Sequence, residues 1–304
     1  MVGSIGGPDV AFVLGGGGVH GAAEVGILRA LDERGISPDV VLGTSVGALN
    51  GAVLADDPAR AVDRLADLWL NIDEASPFDA SLLERASTFA RTRTHLHNNH
   101  RLRRMLLTHL DARRFDQLVL PFQCVAASIE RAGARWFDRG ELIPPLLATT
   151  AVPGLLPPVE IDGEHYLDGG LVHSIPVGRA IELGAKQIYV LQVGRVEHPL
   201  SPPSKPWEVG LVAFEISRRH RFVEEMNHVP AEVDVHVLPT GVEMPHTDSA
   251  QFRYRDTSNV HERIESAYAA AVAYLDEVER GDLPEGALSS PVGHEGEMLR
   301  RRGA

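Results

Sequence analysis

The sequence predicts an α/β domain built on a largely parallel sheet. Two observations carry this: strand-length apolar runs alternate with helical patterns from Val10 onward, and the first two strands each lead through small residues directly into a helix. Val10–Leu14 is a short continuous apolar run, consistent with a strand buried on both faces. Residues 19–34 follow as a helix, with Val25, Ile27, Leu28 and Leu31 apolar and Glu24, Arg29, Asp32 and Glu33 polar, and Gly35 supplies its stop. Residues 40–42 form the next strand and 46–55 the next helix. Asp57-Pro58 opens a third helix with an N-cap residue and proline at the first helical position.

Further along, 122–129 and 134–137 read as two strands around Ala132-Gly133. Residues 159–161 and 165–167 flank Asp162-Gly163, the strongest short hairpin signal in the chain. Residues 188–193 and 233–238 are two more strand candidates, and 257–280 is a long closing helix. The stretch HPLSPPSKP, 198–206, reads as a loop, and from Gly281 the composition turns Gly/Pro/Ser-rich. The expected organisation is therefore a single domain over 8–280 with a flexible tail over 281–304.

With 304 residues, 44% hydrophobic and 23% charged, the chain has a globular composition and can bury a core without staples. Its net charge of −13, from 29 basic against 42 acidic side chains, argues against a general nucleic-acid binder. Cys124 is the only cysteine, which excludes an intrachain disulfide framework and a thiolate metal cluster, and makes a reducing compartment the default. No run reaches the ~20 apolar residues of a membrane span, and the first residues lack the positive flank of a signal peptide. A soluble, cytoplasmic protein is the expectation. No His/Asp/Glu cluster has convincing ligand spacing, so neither a metal nor a cofactor is expected.

Three segments carry chemistry. GGGGVHG, Gly15 to Gly21, lies between a strand and a helix, where successive backbone N–H groups can stabilise negative charge. Gly16, Gly18 and Gly21 also fit a dinucleotide fingerprint. That fingerprint requires an acid at the end of the second strand; here the strand runs into Thr44-Ser45, and the nearest acid, Asp39, precedes it. The second segment, GTSVGALNG from Gly43 to Gly51, places G-x-S-x-G between a strand and a helix, the context of a nucleophile elbow on Ser45. An α/β-hydrolase would place several strands before such an elbow, whereas here only one βα unit and one strand precede it. The third segment, YLDGGLVHSIPV from Tyr166 to Val177, sets Asp168 at the end of a hairpin strand before two glycines.

Together these segments resemble the patatin-like phospholipase family, whose pattern is a G-G-G-x-[RK]-G loop, a G-x-S-x-G elbow and a D-G-[GA] triplet. The stretch ATTAVPGLLPPVEIDGEHYLDGG, 148–170, also looks like the family's approach to that triplet. The resemblance covers roughly residues 10–193. It implies a three-layer α/β/α fold and a lipid-ester hydrolase working by a serine–aspartate dyad. Ser45 would attack the acyl carbonyl and Asp168 would take its proton. The glycine loop, Gly16, Gly17 and Gly18, would form the oxyanion hole, chiefly through the N–H groups of Gly17 and Gly18. A free aspartate has a pKa of ~3.9, low for a base at neutral pH, and a partly dry pocket would raise it. An acyltransferase using the same acyl-enzyme and a weakly active lipid-binding regulator remain alternatives.

One departure stands out: His20 occupies the place of the family's Arg or Lys in the glycine loop. Either a protonated His20 assists anion binding, or it packs at the helix start while the backbone amides do the work. His173 follows Asp168 closely enough to suggest a triad, but a dyad needs no histidine, so His20 and His173 are candidates for supporting roles only. Between Arg91 and Arg114, arginines interleave with Leu102, Met105, Leu106, Leu107 and Leu110 at helical spacing. Such a helix can lie on an anionic membrane surface, although a surface helix with a solvated face is commoner. The segment 206–216, PWEVGLVAFEI, could line an acyl groove, with a core helix as the plainer reading.

Overall fold

The computed structural model describes residues 7–71, 97–193, 200, 202–241 and 259–281. In chain order its elements are β1 (Val10–Leu14), α1 (Ala22–Glu33), β2 (Val40–Gly43), α2 (Val46–Asp56), α3 (Ala61–Leu70), α4 (His100–His109), β3 (Phe122–Ser128), β4 (Gly133–Phe137), α5 (Ile143–Thr149), β5 (Val159–Ile161), β6 (Glu164–Asp168), α6 (Val177–Glu182), β7 (Gln187–Leu191), α7 (Pro206–Met226), β8 (Asp234–Leu238) and α8 (Val260–Arg280). The expected tail over 281–304 lies outside the described residues after Gly281, and so does part of the 198–206 loop.

The eight strands form one sheet in the order β5-β6-β3-β2-β1-β7-β8, with β4 paired to β3. The run from β3 to β8 is parallel throughout, and β4, β5 and β6 add antiparallel pairs at one side. The sheet's alternation sorts its side chains onto two faces. Phe12, Leu14, Val41, Tyr189 and Leu191 join the core cluster that contains residues of α1, α2, α3, α4, α5 and α8. Ala11, Val13, Leu42, Ile188 and Val190 join a second cluster with Val177 and Ala180 of α6 and Phe222 and Met226 of α7. Both faces are covered, which makes three layers, α/β/α. It also explains why the central strands read as continuous apolar runs rather than alternating ones.

Local details follow the sequence. Asp162 and Gly163 both take positive φ (54° and 80°), the conformation a two-residue hairpin between β5 and β6 demands. The third helix begins more slowly than its Asp-Pro start suggests. Residues Pro58–Arg60 form a 3₁₀ turn before α3, and the Asp57 carboxylate pairs with Arg60 instead of capping the helix. Helix α5 was not apparent in the sequence. Its Pro144-Pro145 pair reads as a breaker, yet both prolines sit in the first turn, where missing N–H groups cost nothing.

The chain turns back at β1. The β1–α1–β2 unit builds the sheet toward β3, whereas β7 adds on β1's other side. Loops that leave the carboxyl ends of strands at such a switch point open a crevice between them. Both glycine-rich segments are loops of that kind.

Candidate active site

Two strands end head to head to make the site. β3 pairs along one edge with β4 over Cys124–Ser128, so its other edge serves both β2, at Phe122–Cys124, and β6, at Ala126–Ser128. β2 runs parallel to β3 and β6 antiparallel, so their C-terminal ends converge near Val125. Ser45 lies just past the end of β2, and Asp168 is the last residue of β6. Ser45 Oγ donates to Asp168 Oδ2 at 2.7 Å.

Ser45 sits at φ 54°, ψ −125°, a strained conformation for a residue with a Cβ. The turn is held from outside: Ser45 N–H donates to Thr149 Oγ1 at 2.9 Å, and Thr44 Oγ1 donates to the His173 carbonyl at 2.7 Å. A Cβ on Gly47 would lie 2.4 Å from the Leu14 carbonyl oxygen, so only glycine allows the elbow to pass this close to β1. Helix α2 starts at Val46, and its positive end is directed at the serine.

Asp168 is 1% exposed. Its second oxygen, Oδ1, accepts from Gly170 N–H at 2.7 Å. Burial is the largest influence on this carboxyl and lifts its pKa to about 6, against the opposing pull of the Gly170 amide, the Ser45 hydroxyl and the Arg218 charge. Asp168 is thus far more basic than a free aspartate.

The glycine loop divides in function. Gly16 N–H donates to the Ser174 carbonyl at 3.0 Å, so this amide already has an acceptor and the oxyanion-hole expectation narrows to its neighbours. Gly17 and Gly18 line the cavity beside Ser45, and neither N–H has an acceptor among the described residues. Behind the loop, the buried Asn50 amide donates to the Gly21 carbonyl at 3.0 Å and to Glu24 Oε2 at 2.7 Å, while its carbonyl accepts from Trp69 Nε1 at 3.0 Å. This network ties the start of α1 to α2 and α3. Burial pushes the Glu24 carboxyl well above its ordinary range, against the opposing pull of the Asn50 amide.

The two histidines take separate places. His20 is 4% exposed and does not line the cavity. Its Nδ1 accepts from Arg263 Nη1 of α8 at 2.7 Å, since a guanidinium only donates. His20 therefore packs at the helix start. His173 turns its ring away from Asp168: Nδ1 is 2.7 Å from Glu225 Oε1, and the ring packs on Trp136. Among the described residues no histidine bonds to Asp168, and His173 meets the elbow through its backbone carbonyl.

From Ser45 a cavity runs between α2, α3 and α4. Val53 and Leu65 line it, as do Leu102, Met105 and Leu106 of α4. The basic amphipathic helix thus directs its apolar stripe at the cavity and exposes Arg101, Arg103 and Arg104. The segment 206–216 contributes Phe214 to the lining, while its Val209 and Ile216 are exposed, so it is not a plain core helix. Among the described residues no group of His, Cys, Asp or Glu could hold a metal ion, and no helix is long and apolar enough to cross a membrane.

Thr149, Asn50 and Arg218 were not singled out by the sequence. Asn50 lies within GTSVGALNG and Thr149 within the stretch 148–170, but neither pattern marks them out from their neighbours, and Arg218 is one of three arginines in SRRHR with nothing to distinguish it.

The patatin-like phospholipase family model matches residues 12–181. The patatin-like phospholipase domain-containing protein ZK370.4 of Caenorhabditis elegans is 33% identical over 194 residues, covering 63% of this chain and 14% of the relative. Lysophospholipase NTE1 of Mycosarcoma maydis is 29% identical over 194 residues, covering 63% of this chain and 10% of the relative. VipD from Legionella pneumophila, a solved structure, superposes with a TM-score of 0.45 at 12% identity, covering 89% of this chain and 67% of that one. The chain thus spans only 10% and 14% of the length of these two curated relatives.

Proposed function

The chain belongs to the patatin-like phospholipase family, and on that premise we propose that it is a serine acyl hydrolase of lipid esters, with lysophospholipid or phospholipid as the first substrate class to test. The observation that carries this is the Ser45–Asp168 contact at 2.7 Å, at the head of a largely apolar cavity. We take residues 8–280 to act as one catalytic domain.

In this reading the acyl chain lies along α2 with its carbonyl carbon against Ser45 Oγ. Asp168 Oδ2 takes the hydroxyl proton as Oγ attacks, and the carbonyl oxygen becomes an oxyanion that accepts from Gly17 and Gly18 N–H. Each such donor is worth about 3–4 kcal/mol in a preorganised site. Collapse breaks the ester bond, and the departing alcohol oxygen takes the proton back from Asp168. Water then attacks the acyl-enzyme, giving its proton to Asp168. The second oxyanion collapses, Ser45 Oγ recovers the proton, and the fatty acid leaves. A pKa of about 6 supports this role, because the carboxylate is ionised at neutral pH yet basic enough to compete for the proton.

The exposed arginines of α4 stand on the outer side of the helix that roofs the acyl cavity, which suits contact with a lipid surface during substrate entry.

The test is release of fatty acid from long-chain lysophosphatidylcholine and from p-nitrophenyl esters by wild type, Ser45→Ala and Asp168→Asn. Release that both substitutions abolish supports the proposal. Equal release by Ser45→Ala would contradict it, and acyl transfer to an added alcohol in preference to water would favour the acyltransferase.

A further inference from the structure

Arg218 belongs to none of the three motifs, yet it joins two of them. It projects from α7 with 6% exposure. Its Nε donates to Ser174 Oγ at 2.8 Å, Nη1 pairs with Glu215 Oε1 at 2.9 Å, and Nη2 donates to the carbonyl of Gly16. The same loop residue gives its N–H to the Ser174 carbonyl. Gly16 is thus held at both of its backbone groups by a Ser174–Arg218 clamp.

The Arg218 stem crosses the Asp-Gly-Gly triplet on its way. A Cβ on Gly170 would meet Arg218 Cδ at 3.3 Å and Phe214 Cζ at 3.1 Å. The second glycine of the triplet therefore leaves room for this arginine to reach the glycine loop, in addition to its amide bond to Asp168.

The consequence lies in peptide geometry. In a trans peptide unit the C=O of one residue and the N–H of the next point in opposite directions. Holding the Gly16 carbonyl on Arg218 therefore directs Gly17 N–H away from the guanidinium. A loop of four successive glycines has little of its own to fix that plane. A charged donor on the carbonyl also polarises the peptide unit and strengthens its N–H as a donor. His20, which replaces the family's loop cation, faces Arg263 instead, so the cation in contact with the Gly16–Gly17 peptide comes from α7.

We propose that Arg218 is the positioning residue of the oxyanion hole, orienting the Gly16–Gly17 peptide so that Gly17 N–H meets the developing oxyanion. This rests on the hydrolase reading above. Removing Arg218 alone would take the paired charge from the Glu215 carboxylate, itself 2% exposed, so the main variant is Arg218→Met/Glu215→Met, which removes both charges together. Arg218→Lys, which keeps one donor, serves as the conservative comparison.

Two readouts separate positioning from mere packing. The first compares an ester with its thiono analogue, whose sulfur gains little from oxyanion-hole donors. The double variant should lose about 100-fold in kcat on the oxygen ester with KM within about threefold, while its thiono rate falls far less. Arg218→Lys should fall between it and wild type. A folded double variant with wild-type kcat and an unchanged oxygen-to-thiono ratio would overturn the proposal.

The second readout needs no turnover. A crystal structure of the double variant should show the Gly16–Gly17 peptide rotated or spread over several orientations, with the Ser45–Asp168 contact kept. The peptide unmoved in that structure would equally overturn it. If wild type shows no Ser45-dependent hydrolysis, the hydrolase reading fails by itself, and the crystal structure alone decides whether Arg218 orients the loop.

Discussion

Asp168 accepts the Ser45 hydroxyl with one oxygen and the Gly170 amide with the other, on a carboxylate that is 1% exposed. Enclosure and hydrogen bonding oppose each other here, and enclosure wins, with a pKa of about 6 as the result.

A base must be ionised to act, so kcat/KM should rise with pH through about 6 and then level off. Below that point it should fall roughly tenfold per pH unit. A pH–rate profile with a non-titrating ester checks this; one that stays flat down to pH 4.5 would contradict the role given to Asp168.

The same burial makes a stability prediction. Asp168 titrates at about 6 when folded, against 3.8 as a free side chain, so the folded state favours the protonated form. Its contribution to stability is complete below pH ~4 and is lost as pH rises through about 6, at a cost of about 3 kcal/mol at higher pH. Asparagine keeps the shape without the charge. Asp168→Asn should therefore be inactive yet more stable than wild type at pH 8, with the advantage shrinking toward pH 4. Denaturant melts at the two pH values measure it, and an equal or lower stability at pH 8 would count against the buried charge.

His20→Arg would restore the family's cation, but it would set a second guanidinium against Arg263 in a buried place. Turnover should not rise, and the melting temperature should fall. A many-fold gain in turnover would instead show that the histidine weakens the site.

Much of this site was readable in advance. The glycine loop and the elbow on Ser45 depend on local turn chemistry, which a glycine run or a pentapeptide records directly, whereas the role of Asp168 came from the resemblance of the three segments taken together. The alternation of strands and helices likewise marked the sheet, because both faces are covered and the strands are apolar throughout. What the sequence did not reveal is what arrives from a distance. Thr149, Asn50 and Arg218 act through partners 104, 26 and 202 residues away, and no spacing rule links such pairs. The arginine-rich stretch around α4 was legible as amphipathic, but that its apolar stripe lines a cavity as well as joining the core is a distinction that periodicity does not contain.

The cavity predicts chain-length selectivity. Val53 lies eight residues beyond Ser45 on α2, about 12 Å along the helix axis. Val53→Trp should fill the space there and lower turnover of long-chain esters at least tenfold while sparing short ones. Comparing C4 with C16 p-nitrophenyl esters checks it, and equal losses on both would mean that the chain lies elsewhere.

The most direct test of the account is covalent. The purified protein, Ser45→Ala and Asp168→Asn are treated with a fluorophosphonate probe, and the labelled peptide is mapped. The account predicts a single label on Ser45 in wild type, none in Ser45→Ala and strongly slowed labelling in Asp168→Asn. Folded wild type that takes no label, or takes it equally fast without Asp168, would contradict an activated Ser45–Asp168 dyad.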